Sequence, residues 1–190
     1  MKAQVSKGIL AASLLFGLTA CGGTSQSKSN AVHNPTTKTE TVDHEQVTWQ
    51  VFKGVDFSKK SKGLEVKITK IAVAKKIPNI EVGYEKTPAV KVTYKFHNYG
   101  PHLYKVDPTQ AVLVTPTDDP TRAASHISDD WNGKLKPGET KTCTVGYYLS
   151  PETKFSKLKW LELKFTATLQ LPDKVREQHI DTGKIKIRPN

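Results

Sequence analysis

The chain has 190 residues, with 29 lysines and arginines against 18 aspartates and glutamates, a formal net charge of +11. A chain of this length usually folds as one domain. Only three of the basic residues are arginines, which nucleic-acid-binding proteins favour for base edges and phosphates, so we expect no nucleic-acid partner. The two cysteines, Cys21 and Cys143, leave little scope for disulfides.

The N-terminus has the three parts of an export signal. Lys2 and Lys7 provide a basic start, residues 8–20 carry no charge, and small residues lead to Cys21. The uncharged run is shorter than the about 20 apolar residues that span a bilayer. Residues 18–21, Leu-Thr-Ala-Cys, resemble the lipobox of bacterial lipoproteins. The alternative is an ordinary signal peptide cut nearby, with Cys21 incidental.

The lipobox resemblance implies that Cys21 receives a diacylglyceryl thioether and becomes the new N-terminus. Two acyl chains make a stable anchor, whereas one holds a protein only marginally. The expected location is therefore the outer face of the cell membrane. Gly22 stands where an inner-membrane retention signal would place aspartate. Together with the lysine-rich composition, this favours a Gram-positive cell surface.

Three regions follow from the sequence pattern: a signal peptide at 1–20, a lipidated cysteine with a disordered linker at 21–46, and a folded domain at 47–190. The linker is rich in Ser, Thr, Asn and Lys, a composition that buries too little apolar surface to order itself. If Cys21 is acylated, Cys143 is the only thiol left, so no disulfide forms within the monomer.

The folded domain shows short runs of alternating apolar and polar residues, which predict β-strands. Val90, Val92, Tyr94 and Phe96 share one face of such a run. A shift of alternation at Lys70 predicts a bulge. About eight strands without a sustained helical period predict an all-β, antiparallel β-sandwich. Further alternating runs lie at 47–52, 64–68, 140–149 and 161–169.

Residues 89 to about 165 resemble the immunoglobulin-like domains of uncharacterised Gram-positive surface lipoproteins, a fold class that includes the mycobacterial immunoprotective antigen. The strand 90–96 ending in Asn98-Tyr99-Gly100, the turn at 135–140 and the strand at 161–165 carry the resemblance. It implies an immunoglobulin-like sandwich and no known enzyme activity. The paired core cysteines of antibody domains are absent from this sequence.

No catalytic motif occurs in the chain, neither Gly-x-Ser-x-Gly, His-Glu-x-x-His, a phosphate-binding glycine loop nor Cys-x-x-Cys. His97 and His102 flank a turn without a third metal ligand nearby, and the acidic pairs at 118–119 and 129–130 match no calcium loop. We therefore expect no metal, no cofactor and no enzymatic activity. Three tryptophans remain as candidates for a sugar or peptide groove, with burial in the core as the commoner alternative: Trp49, Trp131 and Trp160.

Two functions remain open. The favoured one is a lipid-anchored, non-catalytic binding domain on the cell surface. The alternative is a small envelope enzyme or ligand carrier whose site is built from loops. The excess of lysine makes anionic wall polymers and anionic lipid headgroups candidate partners, and mere solubility explains the charge equally well. Another surface protein is a further possible partner. The candidate polyanion-binding residues project from predicted outer faces: Lys91, Lys95, Lys184, Lys186 and Arg188.

Overall fold

The computed structural model describes residues 35–83, 85–131 and 133–189. These residues form twelve β-strands in two sheets, and every pairing is antiparallel. Residues from both sheets contribute to one apolar core. The predicted all-β antiparallel sandwich is confirmed, with more strands than the eight expected.

The first sheet has five strands in the order β1-β2-β3-β4-β9. Its first four strands follow one another along the chain as a meander. Two-residue turns with left-handed backbone, at Asp43-His44 and Lys62-Gly63, close the first two hairpins, as the twist of antiparallel strands favours. The strands of this sheet are β1 Thr36–Val42, β2 Glu45–Ser61, β3 Leu64–Asn79, β4 Glu85–Asn98 and β9 Thr140–Tyr148.

The second sheet has seven strands, with β10 pairing directly with four neighbours. Four short 3-10 turns lie in the connections, at Ile80–Val82, Pro108–Gln110, Ser125–Ile127 and Phe155–Lys157. The strands of this sheet are β5 Tyr104–Val106, β6 Val112–Val114, β7 Thr121–Arg122, β8 Lys134–Leu135, β10 Trp160–Gln170, β11 Val175–Asp181 and β12 Ile185–Lys186.

The prediction of a disordered linker through residue 46 is wrong for its last part. Residues 36–42 form β1, which pairs over its full length with β2. Backbone hydrogen bonds to a neighbouring strand order this polar segment, so it needs little apolar burial of its own. Its alternating threonines suit an edge strand, because β-branched side chains fit the pleated surface. The domain boundary therefore lies before Thr36 rather than at residue 47.

The main core lies between the sheets and contains the alternating residues that the sequence identified. Val90, Val92, Tyr94 and Phe96 of β4 are fully buried there. Phe96 packs its ring 5.5 Å from Trp131 and 6.2 Å from Phe165, measured between ring centroids. The bulge predicted near Lys70 is confirmed, because the β3–β4 register shifts between Ile68 and Lys70.

A second, smaller apolar cluster covers part of the outer face of the five-stranded sheet. Ala124 and Ile127, from the connection after β7, lie over this face and reach Gly146 of β9. The cluster also contains Trp49 and Tyr148. The rest of the outer face is not covered by this connection, and that uncovered part holds the candidate site.

Candidate functional site

The five basic residues predicted from the sequence fall on opposite sides of the sandwich. Lys91 and Lys95 lie on β4, and their neighbours Val90 and Val92 point into the core. Lys186 lies on β12 of the other sheet, between core residues at 185 and 187. Outward-facing residues of two packed sheets point away from each other, so these residues do not form one patch. One side carries Lys91 and Lys95, and the other carries Lys184, Lys186 and Arg188.

Lys91 sits at the centre of a built arrangement on the outer face. Its ammonium nitrogen lies 2.6 Å from Oε1 of Glu40, on β1, and 4.7 Å from the centroid of the Trp49 ring. The first contact is an ion pair, and the second places the cation over the aromatic face, where the ring attracts it. Lys95, by contrast, is exposed.

Glu40 is the acidic member of this arrangement. Burial raises the pKa of its carboxyl, but hydrogen bonds and charge from Lys91 and Lys38 outweigh that effect, and the pKa ends below its ordinary value. The ammonium nitrogen of Lys38 lies 3.7 Å from Oε2 of Glu40. The carboxylate therefore remains ionised and neutralises part of the local positive charge.

Two further lysines stand side by side next to this arrangement. In the sheet register Lys53 of β2 is directly opposite Lys70 of β3. The register continues from Lys70 to Thr93 and from Thr93 to Thr144, and the two threonine hydroxyl oxygens lie 3.1 Å apart. Two lysines and two threonines thus occupy one row of register positions across four strands.

These side chains line one groove of about 350 Å³ on the outer face. Its apolar surface comes from Trp49, Val51 and Ala72, which are 1%, 6% and 5% exposed. The indole nitrogen of Trp49 has no hydrogen-bond partner among the described residues. The polar lining consists of Thr36, Thr37, Lys38, Glu40, Lys53, Lys70, Lys91 and Thr144. Four lysines against one carboxylate make the groove cationic.

Sequence reasoning missed Lys53 and Lys70. Part of the signal was present, because Lys53 continues the alternation of Val47, Trp49 and Val51. Which lysine stands opposite it depends on the register of β2 against β3, which is interrupted after Lys53. That register is set by contacts between strands and not by the pattern within either one.

A second cleft, of about 530 Å³, is lined mainly by the connections after β5 and after β7 and is called here the loop-built cleft. Asp129, Asp130, Arg122 and Trp131 line it. One oxygen of Asp129 accepts a hydrogen bond from the backbone N–H of Thr144 at 2.6 Å. The Trp131 indole N–H donates to the backbone oxygen of Val106. Both side chains therefore also fasten the loop to the sheets.

The other candidates for chemistry have structural contacts. Asp118 accepts hydrogen bonds from the Thr115 and Thr117 hydroxyls at 3.1 and 2.8 Å, and from the Thr153 hydroxyl, so it organises its own loop and joins it to the loop after β9. A ring nitrogen of His97 is 2.8 Å from the Thr140 hydroxyl oxygen. Among the described residues, no group of three or more His, Cys, Asp or Glu side chains is arranged to hold a metal ion.

The three tryptophans do not share a groove. Each is covered by a different lysine ammonium: Lys91 over Trp49, Lys141 over Trp131 and Lys184 over Trp160, at 4.7, 5.3 and 4.5 Å from the ring centroids. Trp49 belongs to the cationic groove and Trp131 to the loop-built cleft. The three tryptophans therefore do not form the sugar or peptide groove considered from the sequence, and each makes a separate lysine contact instead. Trp49 is buried and the other two are partly buried, in line with the commoner alternative.

Cys143 is buried in the main core, as a structural role requires. Burial, with smaller contributions from the charges of Asp129 and Asp107, raises the pKa of its thiol to about 12. Cys21 and the predicted signal peptide at 1–20 lie outside the described residues. Within the described part of the chain, no helix has the length and apolar character needed to cross a membrane.

Comparison with known proteins adds information on the fold. No protein-family model and no curated protein matches the chain. The chain is similar to the crystal structure of a functionally unknown protein from Listeria monocytogenes EGD-e, at 10% identity and a TM-score of 0.50, covering 69% of this chain and 83% of that one. It is also similar to a conserved hypothetical protein from Bacillus anthracis, at 14% identity and a TM-score of 0.41, covering 70% and 96%. The Listeria structure supports a shared β fold.

Proposed function

We propose that this protein is a lipid-anchored, non-catalytic binding domain on the outer face of a bacterial cell membrane, where it binds an anionic component of the envelope. The observation that carries the proposal is the cationic groove on the outer face of the five-stranded sheet. Four lysines and one glutamate line it. A groove with this excess of positive charge attracts anions, and charge complementarity is a common basis of recognition.

The N-terminal sequence supports the location. Residues 18–21 match the lipobox pattern, and the preceding residues match an export signal. A diacylglyceryl group on Cys21 would anchor the domain beside the anionic lipids and polymers of the envelope. Lipid and groove then have separate roles, because the lipid determines where the domain resides and the groove determines what it holds.

Anchoring is tested by labelling cells with a fatty acid. The native protein should incorporate the label and fractionate with membranes. Cys21→Ala should abolish incorporation and either release the protein into the medium or leave it unprocessed. A Cys143→Ala variant is the matched control, because it removes the other cysteine and should leave labelling intact. Absence of label from the native protein would contradict the lipobox interpretation.

Binding is tested with purified cell walls and residues 22–190, which contain every described strand and lack the signal and the lipid. The protein should bind walls at low salt. Binding should weaken as salt rises, since the screening length falls from about 10 Å at 0.1 M to about 3 Å at 1 M. It should also fall when phosphate-containing polymers are stripped from the walls. Equal retention on intact and stripped walls would exclude these polymers as ligands.

The loop-built cleft favours a second candidate function, that of a ligand carrier or small envelope enzyme. Its lining combines the carboxylates of Asp129 and Asp130 with the guanidinium of Arg122, groups able to bind a polar ligand. The two candidates are separated by Arg122→Gln together with Asp130→Asn. If the cationic groove is the binding site, these changes should leave wall binding unaffected. If the loop-built cleft is the binding site, they should abolish binding.

A further inference from the structure

We propose that Lys53 and Lys70 form the anion-binding centre of the groove, that its ligand is a phosphodiester-linked wall polymer, and that Glu40 acts as an internal counter-ion competing with it. The inference rests on the proposed function and specifies the residues and the ligand class. Its support comes from the register of the sheet, the pairing of the lysines and the shape of the groove.

The first support is the unusual pairing of Lys53 with Lys70. Like charges directly opposite one another on a sheet face destabilise it, yet neither lysine has an ion-pair or hydrogen-bond partner among the described side chains. Other lysines of the same domain do have carboxylate partners, including Lys60, Lys67 and Lys91. A pair of ammonium groups without a carboxylate partner among the described side chains is suited to an external anion.

The second support is the chemistry of the neighbouring groups. The row that holds the two lysines continues to Thr93 and Thr144, and Thr144 lines the groove. Lysine ammonium groups bind phosphate as point charges with rotatable donors, and a threonine hydroxyl donates one more hydrogen bond. Two cations on adjacent strands therefore suit a phosphate group with several oxygen acceptors, and the Thr144 hydroxyl, two strands beyond Lys70, suits a further oxygen of the same polymer.

The third support is the recessed apolar surface. Trp49, Val51 and Ala72 lie below the lysines with at most 6% of their surface exposed. Because these side chains are almost fully covered, a ligand in the groove meets mainly the aliphatic stems and the ammonium groups of the lysines. A thin polymer can lie along the groove with its phosphates against the ammonium groups, whereas a flat membrane contacts only the rim. This argument favours a wall polymer over lipid headgroups, although both carry phosphodiesters.

Glu40 gives the site an internal competitor. It forms an ion pair with Lys91, and it is the only carboxylate among the described residues that line the groove. A ligand phosphate near Lys53 and Lys70 is repelled by this negative charge. Removing the charge should tighten binding, while removing the lysine charges should weaken it. Opposite responses from residues that line one groove distinguish a built site from general surface charge.

The test measures binding of residues 22–190 to synthetic poly(glycerol phosphate) by titration calorimetry at low salt. Lys53→Gln with Lys70→Gln should weaken binding about tenfold, and Glu40→Gln should tighten it about threefold, from Coulomb energies at near-water dielectric. The matched control is Lys95→Gln with Lys186→Gln, which removes the same charge from exposed positions outside the groove and should change affinity less than about twofold.

The inference would be overturned by equal weakening from the two lysine double variants, by no gain from Glu40→Gln, or by equal affinity for polyglutamate. Equal binding to phosphatidylglycerol vesicles would assign the site to lipid headgroups and overturn the choice of polymer. If the native protein and the Lys53→Gln, Lys70→Gln variant bind walls equally well, this inference is wrong while the proposed function is still supported. Failure of the native protein to bind walls at all would remove the proposed function.

Discussion

The two faces of the five-stranded sheet are made by the same strands but differ in what covers them and in the side chains that they present. The inner face meets the second sheet and buries aromatic and aliphatic side chains from both. The outer face is covered by Ala124 and Ile127 over part of its area and presents lysines over the rest. An alternating strand sends successive residues to opposite faces, so what covers each face determines its chemistry.

The boundary on the outer face is set at Gly146. The segment from Ala124 to Asp129 follows the free edge of β9, where the N–H of Ala124 donates to the Gly146 oxygen at 2.8 Å and that of Asp129 to the Thr144 oxygen at 2.8 Å. Ile127 then packs directly on Gly146. Beyond this contact, from Thr144 toward β1, the face remains open as the cationic groove.

The largest expected effect is the protection of the Cys143 thiol from chemical labelling. Cys143 points into the core, whereas its neighbour Thr144 lies on the outer face. The thiol is 1% exposed, and its pKa is raised to about 12, so reaction requires unfolding. A typical domain is stable by about 5 kcal/mol or more, which should slow labelling by a thiol reagent more than about a thousandfold relative to the unfolded chain. Rapid labelling of the folded protein would contradict this expectation.

A smaller effect should follow from a cavity on the inner face. Phe96 contacts Tyr94, Trp131 and Phe165 through its ring. Phe96→Ala should lower the free energy of unfolding by about 3–5 kcal/mol, the usual result for a buried phenylalanine, as measured by urea denaturation. Lys95→Ala, one residue away on the outer face, should change it by no more than about 0.5 kcal/mol.

Gly146 tests the covered part of the outer face. A methyl group there would lie 2.5 Å from Cγ1 of Ile127 and 2.6 Å from its carbonyl oxygen. Gly146→Ala should therefore lower the free energy of unfolding by about 1–3 kcal/mol, as overpacking does. Hydrogen exchange should rise in the segment from Ala124 to Asp129 more than in β10. Uniform exchange throughout the domain would show that the segment is not a separate cover.

The smallest effect should come from Glu40 in the open groove. Its folded pKa is lowered below 4.5, so its ion pair stabilises the protein above that pH and loses this effect as pH falls through the folded pKa. At neutral pH the free energy of unfolding of the native protein should exceed that of Glu40→Gln by about 0.5–1 kcal/mol. This difference, measured by urea denaturation, should vanish in acid. Glu45→Gln, at a more exposed pair with Lys86, is the control and should show a smaller difference.

The sequence by itself determined the fold class and much of the core. Alternation of apolar and polar residues is a local property, because it follows from the two-residue repeat of a strand. It therefore identified the buried residues Val92, Tyr94 and Cys143, and the shift at Lys70 identified a bulge. The same local signal placed Lys91 correctly on an outer face.

The tertiary structure alone decided which residues from different strands meet. Thr36–Val42 contains too few apolar residues to predict a strand, and it is ordered by pairing with β2. Lys53 and Lys70 are seventeen positions apart in the sequence, and only the register of β2 on β3 makes them neighbours. The candidate site depends on such pairings, since strand register reflects contacts across the whole sheet whereas alternation reflects one strand at a time.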